Sequence, residues 1–256
     1  NADVPELQMC FFDIEVDFNP ERGFAPPTDP FAPITAIAVY LSWMESLITL
    51  ALPPPTLTIE QAKKEVEEID NVWLYTDEGE MLRTFLDLIE DADVLSGWNS
   101  EGFDIPYITN RITQVLGKSY TRKLCLWDRL PKPRNFIKYG REQESYDLVG
   151  RLHLDYLELY RKYTYHEMHS YALDAIGEYE LGDRKIAYEG SIDKFYREEF
   201  KTFIEYNRQD TMLLVNIDKK NQFIDLANDI AHANTVLLPT TMGAVAVTDQ
   251  AIVNEA

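Results

Sequence analysis

With 256 residues, 45% of them hydrophobic and 12% aromatic, the chain has the length and composition of a globular protein with a full core. Its formal net charge of −20 argues against tight nucleic-acid binding by the chain alone, because such affinity comes largely from neutralising phosphates. Divalent cations or basic neighbouring domains would have to offset this charge at a nucleic-acid site, and much of the acidic surface serves solubility.

The apolar segments do not predict a membrane protein. The most apolar stretch, residues 34–52, is interrupted by Ser42, Glu45 and Ser46 and runs into three prolines, which predicts two strands and a turn. Cys10 and Cys125 lack metal-ligand spacing, and no signal peptide is visible. We therefore expect reduced, structural cysteines, no membrane partner and a cytoplasmic location.

The first half of the chain predicts alternating strands and helices. Thr58 with Gln61 has the spacing of a capping box, and Asp77 with Glu80 marks a second helix start. In chain order the predicted elements are a strand over 8–17, a hairpin of strands over 34–41 and 47–52, a helix from 58 to about 69, a strand over 72–75, a helix after 77, a strand over 94–98 and a helix from about 104 to 116.

The second half is more helical. Residues 130–147 are the least regular segment, with a turn predicted at Gly140. A short strand is predicted over 153–155, a helix from Ser170, and a long helical stretch from about Arg197 to beyond Ala227 with room for one break. Strands followed by strand–helix units predict an α/β fold, a mixed β-sheet flanked by helices on both faces. The ends, at Asn1 and at an uncapped helix-like run, predict a piece of a longer chain.

Asp13 and Glu15 form the first of three acidic motifs. Side chains at positions i and i+2 of a strand point to the same face, so the two carboxylates project together while Ile14 points to the opposite, packed side. Two such carboxylates repel each other unless a cation joins them. This pair of acidic residues alone is equally typical of a solvated edge strand.

The second and third motifs supply two more carboxylates and a tyrosine. Asp104 follows a buried strand at the start of a helix, where a plain N-cap is the simplest interpretation. Asn99 and Phe103 on the same turn add a polar group for a sugar or phosphate and an aromatic ring for a base. Tyr206 and Asp210 are four residues apart and share a helix face, as a surface pair also would.

The conjunction of the three motifs indicates a chemistry. Phosphodiester hydrolysis needs charge stabilisation and an oriented water rather than a protein nucleophile. Two Mg²⁺ (or Mn²⁺) ions about 4 Å apart can clamp the attacking and leaving oxygens, and four carboxylates suffice to hold them. Tyr206 can hydrogen-bond the attacking water. The sequence thus predicts a two-metal nuclease that trims nucleic acid from its 3′ end.

With these motifs the sequence resembles the 3′–5′ proofreading exonuclease domain of family B DNA polymerases, within the wider DEDD, ribonuclease-H-like superfamily. It is most similar to the replicative polymerases of T-even-type bacteriophages, also over residues 154–162, 170–174, 185–190 and 219–226. The resemblance implies a ribonuclease-H-like fold and an exonuclease domain over residues 1–256, with about 225–256 leading toward a polymerase palm domain. The implied partners are a single-stranded or frayed 3′ end of DNA and the remaining polymerase domains.

The resemblance also implies residue roles. Asp13, Glu15 and Asp210 would hold the ion that carries the catalytic water, Asp13 and Asp104 would hold the second ion, and Tyr206 would orient the nucleophile. Lys185 matches a lysine that reaches the scissile phosphate, and an exposed loop lysine is the equal alternative.

Further positions match family features outside the ligand set. Phe103 and Phe24 match aromatics that stack on the unpaired 3′ end, although Phe103 also suits core packing. Asp155 is expected to be an N-cap rather than a ligand. Residues 130–147 fall where these polymerases carry a β-hairpin that helps to separate primer from template, and basic and aromatic residues are interleaved there.

Two other functions remain open. A free-standing DEDD-type exoribonuclease would share the metal chemistry, and a comparison of deoxyribose and ribose single strands would distinguish it. A degenerate domain kept as a non-catalytic scaffold is disfavoured by the presence of all four carboxylates and the tyrosine.

Overall fold

Six strands form one mixed β-sheet in the computed structural model, which describes residues 6–138, 140–182 and 191–242. The strand bounds are β1 Met9–Val16, β2 Ile34–Leu41, β3 Ser46–Ala51, β4 Val72–Leu74, β5 Val94–Gly97 and β8 Leu152–Asp155. The spatial order is β4-β3-β2-β1-β5-β8. β1 runs antiparallel to β2 and parallel to β5.

Eight α-helices pack on the two faces of this sheet within the described residues. Their bounds are α1 Ile59–Glu65, α2 Glu78–Leu88, α3 Asp104–Val115, α4 Tyr156–Tyr163, α5 Leu173–Leu181, α6 Ile192–Glu198, α7 Phe200–Asn221 and α8 Phe223–Asn234. The capping box of Thr58 and Gln61 is present, and the Asp77 side chain caps α2 through the amide of Glu80. The predicted sheet with helices on both faces is confirmed.

The alternation of side chains along β1 assigns its residues to two cores. Phe12 and Ile14 point toward α2 and α3, where they pack with residues such as Phe85 and Ile112. Phe11 points to the other face, into the core formed with α4, α7 and α8. Asp13 and Glu15 lie on the same face of β1 as Phe11 and therefore project toward the α7 side of the sheet.

A separate two-stranded antiparallel hairpin lies outside the main sheet. Its strands are β6 Lys132–Lys138 and β7 Arg141–Asp147, with Lys138 opposite Arg141 and Gly140 at φ +73° in the tip. The hairpin contacts α3 where the Tyr146 hydroxyl donates to Asn110 Oδ1 at 2.6 Å. The least regular segment of the sequence is thus a β-hairpin, as the resemblance implies.

Two helix boundaries differ from the sequence prediction. α1 ends at Glu65 rather than near residue 69, because the chain turns into β4 through Asn71 in the left-handed region (φ +57°). α5 begins at Leu173 rather than at Ser170, whose hydroxyl accepts from the amide of Ala172 in a turn before the helix.

The long C-terminal helical stretch is broken twice rather than once. Glu199, with φ −138° and ψ +62°, ends α6, and Gln222, in the left-handed region at φ +52°, separates α7 from α8. Among the described residues, no helix combines the length and apolar character of a membrane span.

Candidate active site

β1 carries the first two carboxylates opposite small residues of the neighbouring strand. Asp13 and Glu15 pair in register with Ala38 and Ala36 of β2. Directly opposed residues in a sheet share a face, so two small side chains border the carboxylates. Both acidic side chains are half-buried.

Asp13 is supported by a buried amide from α7. Asn207 Nδ2 donates to Asp13 Oδ2 at 2.8 Å, and the Asn207 side chain is fully buried. Burial, followed by the charges of Glu15, Asp104 and Asp210, raises the pKa of Asp13 well above its usual value, while the Asn207 hydrogen bond lowers it. Asp13 therefore lies at the centre of a crowded acidic group.

Asp104 occupies the first position of α3 instead of its N-cap, which is Phe103. Its Oδ1 accepts from the backbone amide of Ile14 at 3.3 Å, so the carboxylate reaches β1 next to Asp13. The side chain is only 6% exposed, and burial raises its pKa to about 7. The N-terminus of a helix favours a negative charge at this position.

α7 brings Tyr206 and Asp210 to the same side of the sheet. The two residues are one helical turn apart and half-buried, with Asn207 between them. Asp210 is close enough to raise the pKa of Asp13 through its charge. The three motifs thus converge from β1, the start of α3 and the middle of α7.

Asp155 holds the turn that precedes Asp104. Its Oδ1 accepts from the amide of Leu157 as the N-cap of α4 and from the amide of Asn99, and its Oδ2 accepts from the amide of Glu101. Asn99 itself adopts φ +60°, a conformation that such contacts have to stabilise. The prediction that Asp155 is an N-cap is confirmed.

The hairpin docks on this turn through ion pairs. Lys138 Nζ donates to Asn99 Oδ1 at 2.9 Å and lies 2.8 Å from Glu158 Oε1. Arg134 pairs with Glu101 and, at 2.8 Å, with Asp147. Two of the hairpin cations are therefore committed to carboxylates of the protein, and the Asn99 amide oxygen is engaged as well.

The two aromatic residues expected at the DNA end differ in exposure. Phe24 is 68% exposed, with its ring 4.9 Å from that of Phe18. Phe103 is half-buried against the α2–α3 core and stacks on Tyr107 at 5.3 Å between centroids. Lys185, the expected phosphate contact, lies outside the described residues.

The donor set suits a hard divalent cation. Carboxylate oxygens are the ligands that Mg²⁺ and Mn²⁺ prefer. The buried Asn207 Oδ1 also has no hydrogen-bond partner among the described residues. In the part of the chain that the structure describes, no three acidic, histidine or cysteine side chains already surround one ion position. Binding would thus require the carboxylates to rotate toward each other.

Asn207 was not identified from the sequence. A signal was available, because asparagine is a poor residue for a helix interior and this one stands between Tyr206 and Asp210. Its contact with Asp13, 194 positions away in the chain, could not be read from local pattern.

Comparisons with known proteins agree with the motif pattern. A family model described as "DNA polymerase family B, exonuclease domain" matches residues 1–176. The "DNA-directed DNA polymerase" of Escherichia phage RB69 is 30% identical over 276 aligned positions, covering 98% of this chain and 30% of that protein. That of Enterobacteria phage T4 is 32% identical over 160 positions, covering 62% of this chain and 18% of that protein.

A cellular relative extends this similarity. The "DNA polymerase delta catalytic subunit" of Mesocricetus auratus is 26% identical over 192 positions, covering 71% of this chain and 16% of that protein. The chain spans about a third or less of the length of these relatives.

Proposed function

Because this chain belongs to the exonuclease-domain family of family B DNA polymerases, we propose that it removes mononucleotides from the 3′ end of DNA in a reaction that requires divalent metal ions. Its mixed sheet with flanking helices is the ribonuclease-H-like fold expected for such a domain. The similarity to polymerases of T-even-type phages supports a proofreading role.

The convergence of Asp13, Glu15, Asp104 and Asp210 carries this proposal. Four carboxylates from three separate elements are brought together although their charges repel each other, and Asp13 experiences the charge of the other three. A fold gains no stability from such crowding, whereas a cation site requires it.

The chain's own groups have separable tasks. Asp13, Glu15 and Asp210 would hold one Mg²⁺ or Mn²⁺ ion, and Asp13 and Asp104 the other. When bound, the ions supply Lewis-acid stabilisation of the charge that develops on the phosphate oxygens. Asn207 holds one oxygen of Asp13 and so limits the orientations open to that carboxylate. Tyr206 would orient the attacking water, and Lys185 would contact the scissile phosphate.

A single-strand assay tests the proposal. A 5′-labelled deoxyribose strand incubated with the chain and Mg²⁺ should lose nucleotides one at a time from its 3′ end, and a chelator should stop the reaction. A matched ribose strand should be degraded far more slowly. Equal or faster degradation of the ribose strand would favour the exoribonuclease, and inactivity on both would favour a scaffold.

Tyr206→Phe should slow cleavage without abolishing it. The hydroxyl orients a water, while electrostatic stabilisation of the transition state is usually the larger contribution. We expect a fall in kcat of about 100-fold with little change in KM. A kcat equal to that of the unmodified chain would remove Tyr206 from the mechanism.

Binding of DNA should be weak and should favour single-stranded or frayed 3′ ends over blunt duplex. The net charge of −20 provides no long-range attraction for phosphate. Stacking on Phe24 and Phe103 should contribute about 1–3 kcal/mol per base.

Phe24 offers the cleaner test of this stacking, because its side chain is mostly exposed. Phe24→Ala should weaken binding of a single-stranded end, while Phe24→Tyr, which keeps a ring, should not. Affinity for blunt duplex equal to that for single strands at physiological salt would contradict the expected preference for single-stranded ends.

The same proposal extends to the domain organisation. Residues 1–256 would form the exonuclease domain of a polymerase, and about 225–256 would lead toward its palm domain. The remaining polymerase domains would supply the positive charge that this chain lacks.

A further inference from the structure

The cations of this acidic chain are concentrated in one segment. Residues 111–141 contain nine of the 24 lysines and arginines and a single acidic residue, Asp128. The segment begins in α3, passes through a 3-10 helix at Lys118–Leu124 and a loop, and includes the first hairpin strand, β6. A local excess of positive charge in a chain of net charge −20 marks a surface suited to an anionic ligand.

About half of these cations are committed to the protein's own carboxylates. The ion pairs are Arg111–Glu78, Arg122–Asp128, Lys123–Asp87, Arg134–Glu101 and Lys138–Glu158. Arg129 and Lys132, by contrast, are exposed, and neither forms an ion pair with another residue in the described ranges. Their charges face solvent at the loop that enters β6.

Trp127 lies in the same loop, with its side chain exposed to solvent. Its side chain is 76% exposed, and both Trp127 (φ +55°) and Asp128 (φ +54°) adopt the left-handed conformation. Such conformations cost non-glycine residues about 1–3 kcal/mol each and are concentrated at functional sites. Local stability does not explain an exposed indole on a strained turn.

The turn after the hairpin supports the indole from one side. A Cβ atom on Gly150 would lie 2.8 Å from Cε3 and Cζ3 of Trp127, so the six-membered ring rests against glycine backbone. The amide of Leu126 donates to the carbonyl of Val149 at 2.9 Å and ties the two segments together. The ring is therefore positioned rather than loose.

These residues mark the base of the hairpin, at the end opposite its tip. Lys132 opens β6 and pairs in register with Asp147, while Gly140 lies at the tip. The seven residues of β6 separate this end of the hairpin from its tip by about 20 Å. A ligand that contacts this end is thus well separated from one at the tip.

We infer that Trp127, Arg129 and Lys132 form a second contact surface for single-stranded DNA, separate from the acidic site. A base would stack on the indole while the two cations contact neighbouring phosphates, the combination that binds single strands without sequence preference. An acidic protein segment would form ion pairs with the two cations but would not require an exposed, positioned indole beside them. The identity of the ligand as DNA rests on the proposed function.

Binding without cleavage tests the surface directly. A labelled oligothymidylate is titrated with the chain in the presence of a chelator at low salt, so that no nucleotide is removed. Trp127→Ala should weaken binding about 5- to 100-fold, and Trp127→Phe should weaken it less. Trp73→Ala is the control, because Trp73 is also partly exposed but lies on the edge strand β4.

A charge-matched pair of double variants tests the cations. Arg129→Gln with Lys132→Gln should lower the dependence of log affinity on log salt by about 1.4, that of two phosphate contacts on a single strand. Lys63→Gln with Lys64→Gln changes the net charge equally, on the exposed face of α1, and should leave the salt dependence unchanged. Equal effects of the two double variants would overturn the inference.

The outcomes separate this surface from the nuclease. If Trp127→Ala binds oligothymidylate as the unmodified chain does, the surface is wrong whether or not the chain degrades DNA. If the unmodified chain releases no nucleotides with Mg²⁺ but Trp127→Ala still weakens binding, the surface stands and the proposed function fails. Protection of Trp127 from an aqueous quencher by the other polymerase domains, without DNA, would assign the surface to those domains and overturn the inference.

Discussion

Asp13→Asn is expected to reduce nucleotide release by at least about 1000-fold while leaving the protein folded. The substitution removes the one carboxylate that all three motifs surround, and with it the proposed ligand shared by both ions. Asparagine keeps the size of the side chain and an oxygen that can still accept from Asn207. Single-turnover cleavage of a labelled strand at saturating Mg²⁺ measures the effect.

The stability of the same variant separates chemistry from folding. Because burial and three neighbouring carboxylates raise the pKa of Asp13, removing its charge should leave the Tm in the absence of metal unchanged or higher. Asp210→Asn should behave in the same way. Asp218→Asn is the matched control, since Asp218 is a buried carboxylate of α7 that accepts from the Tyr156 hydroxyl, away from the acidic group.

Two results would contradict the assignment. Near-normal cleavage by purified Asp13→Asn would remove this residue from the site. A large fall in Tm in the absence of metal would mean that Asp13 stabilises the fold, in which case the loss of activity would carry no information about metal ligation.

The predicted strands and acidic motifs were recoverable from the sequence because each depends on local pattern. Alternation along residues 9–16 placed Asp13 and Glu15 on one face, and the capping residues Thr58 and Asp77 marked real helix starts. That Tyr206 and Asp210 share one face of α7 follows from helical spacing alone. The convergence of the three motifs was inferred from their order. In the fold, Asp13 and α7 lie on one side of the sheet, and the Asp104 carboxylate reaches β1 from the start of α3.

The contacts that position the site could not be predicted, because they join distant parts of the chain. Asn207 contacts Asp13 across 194 positions, and Asp155 holds the amide of Asn99 across 56. The break at Gln222 depends on a left-handed backbone conformation that a glutamine only rarely adopts. The periodicity of these segments encodes neither the long-range contacts nor the break.

The docked hairpin gives the second large expected effect, with Lys138→Met. Lys138 is only 9% exposed and joins the end of β6 to Asn99 and Glu158, with Asp155 Oδ2 at 3.8 Å. Removing one partner of a buried ion pair costs about 3–5 kcal/mol because the other charge is left unpaired. Glu158 is one-third exposed, so we expect the lower end of this range.

We expect the hairpin of Lys138→Met to separate from the rest of the domain while the main sheet stays folded. Its amides should exchange with deuterated solvent about 100-fold faster, which corresponds to about 3 kcal/mol. Arg141→Met is the control, because Arg141 stands opposite Lys138 in the register but is exposed. Amides of β1 and β2 should exchange as before in both variants.

The two DNA substrates then reveal what docking contributes. Single strands reach the acidic site without being separated, so Lys138→Met should degrade them at close to the normal rate. In a polymerase chain that includes this domain, we expect slower removal of a paired or singly mismatched primer end, because we propose that the docked hairpin holds the primer and template strands apart. Equal slowing on both substrates would instead mean that Lys138 supports the Asn99 turn and, through it, Asp104. An unchanged rate on both, despite faster hairpin exchange, would leave the docked hairpin without a role in handling duplex ends.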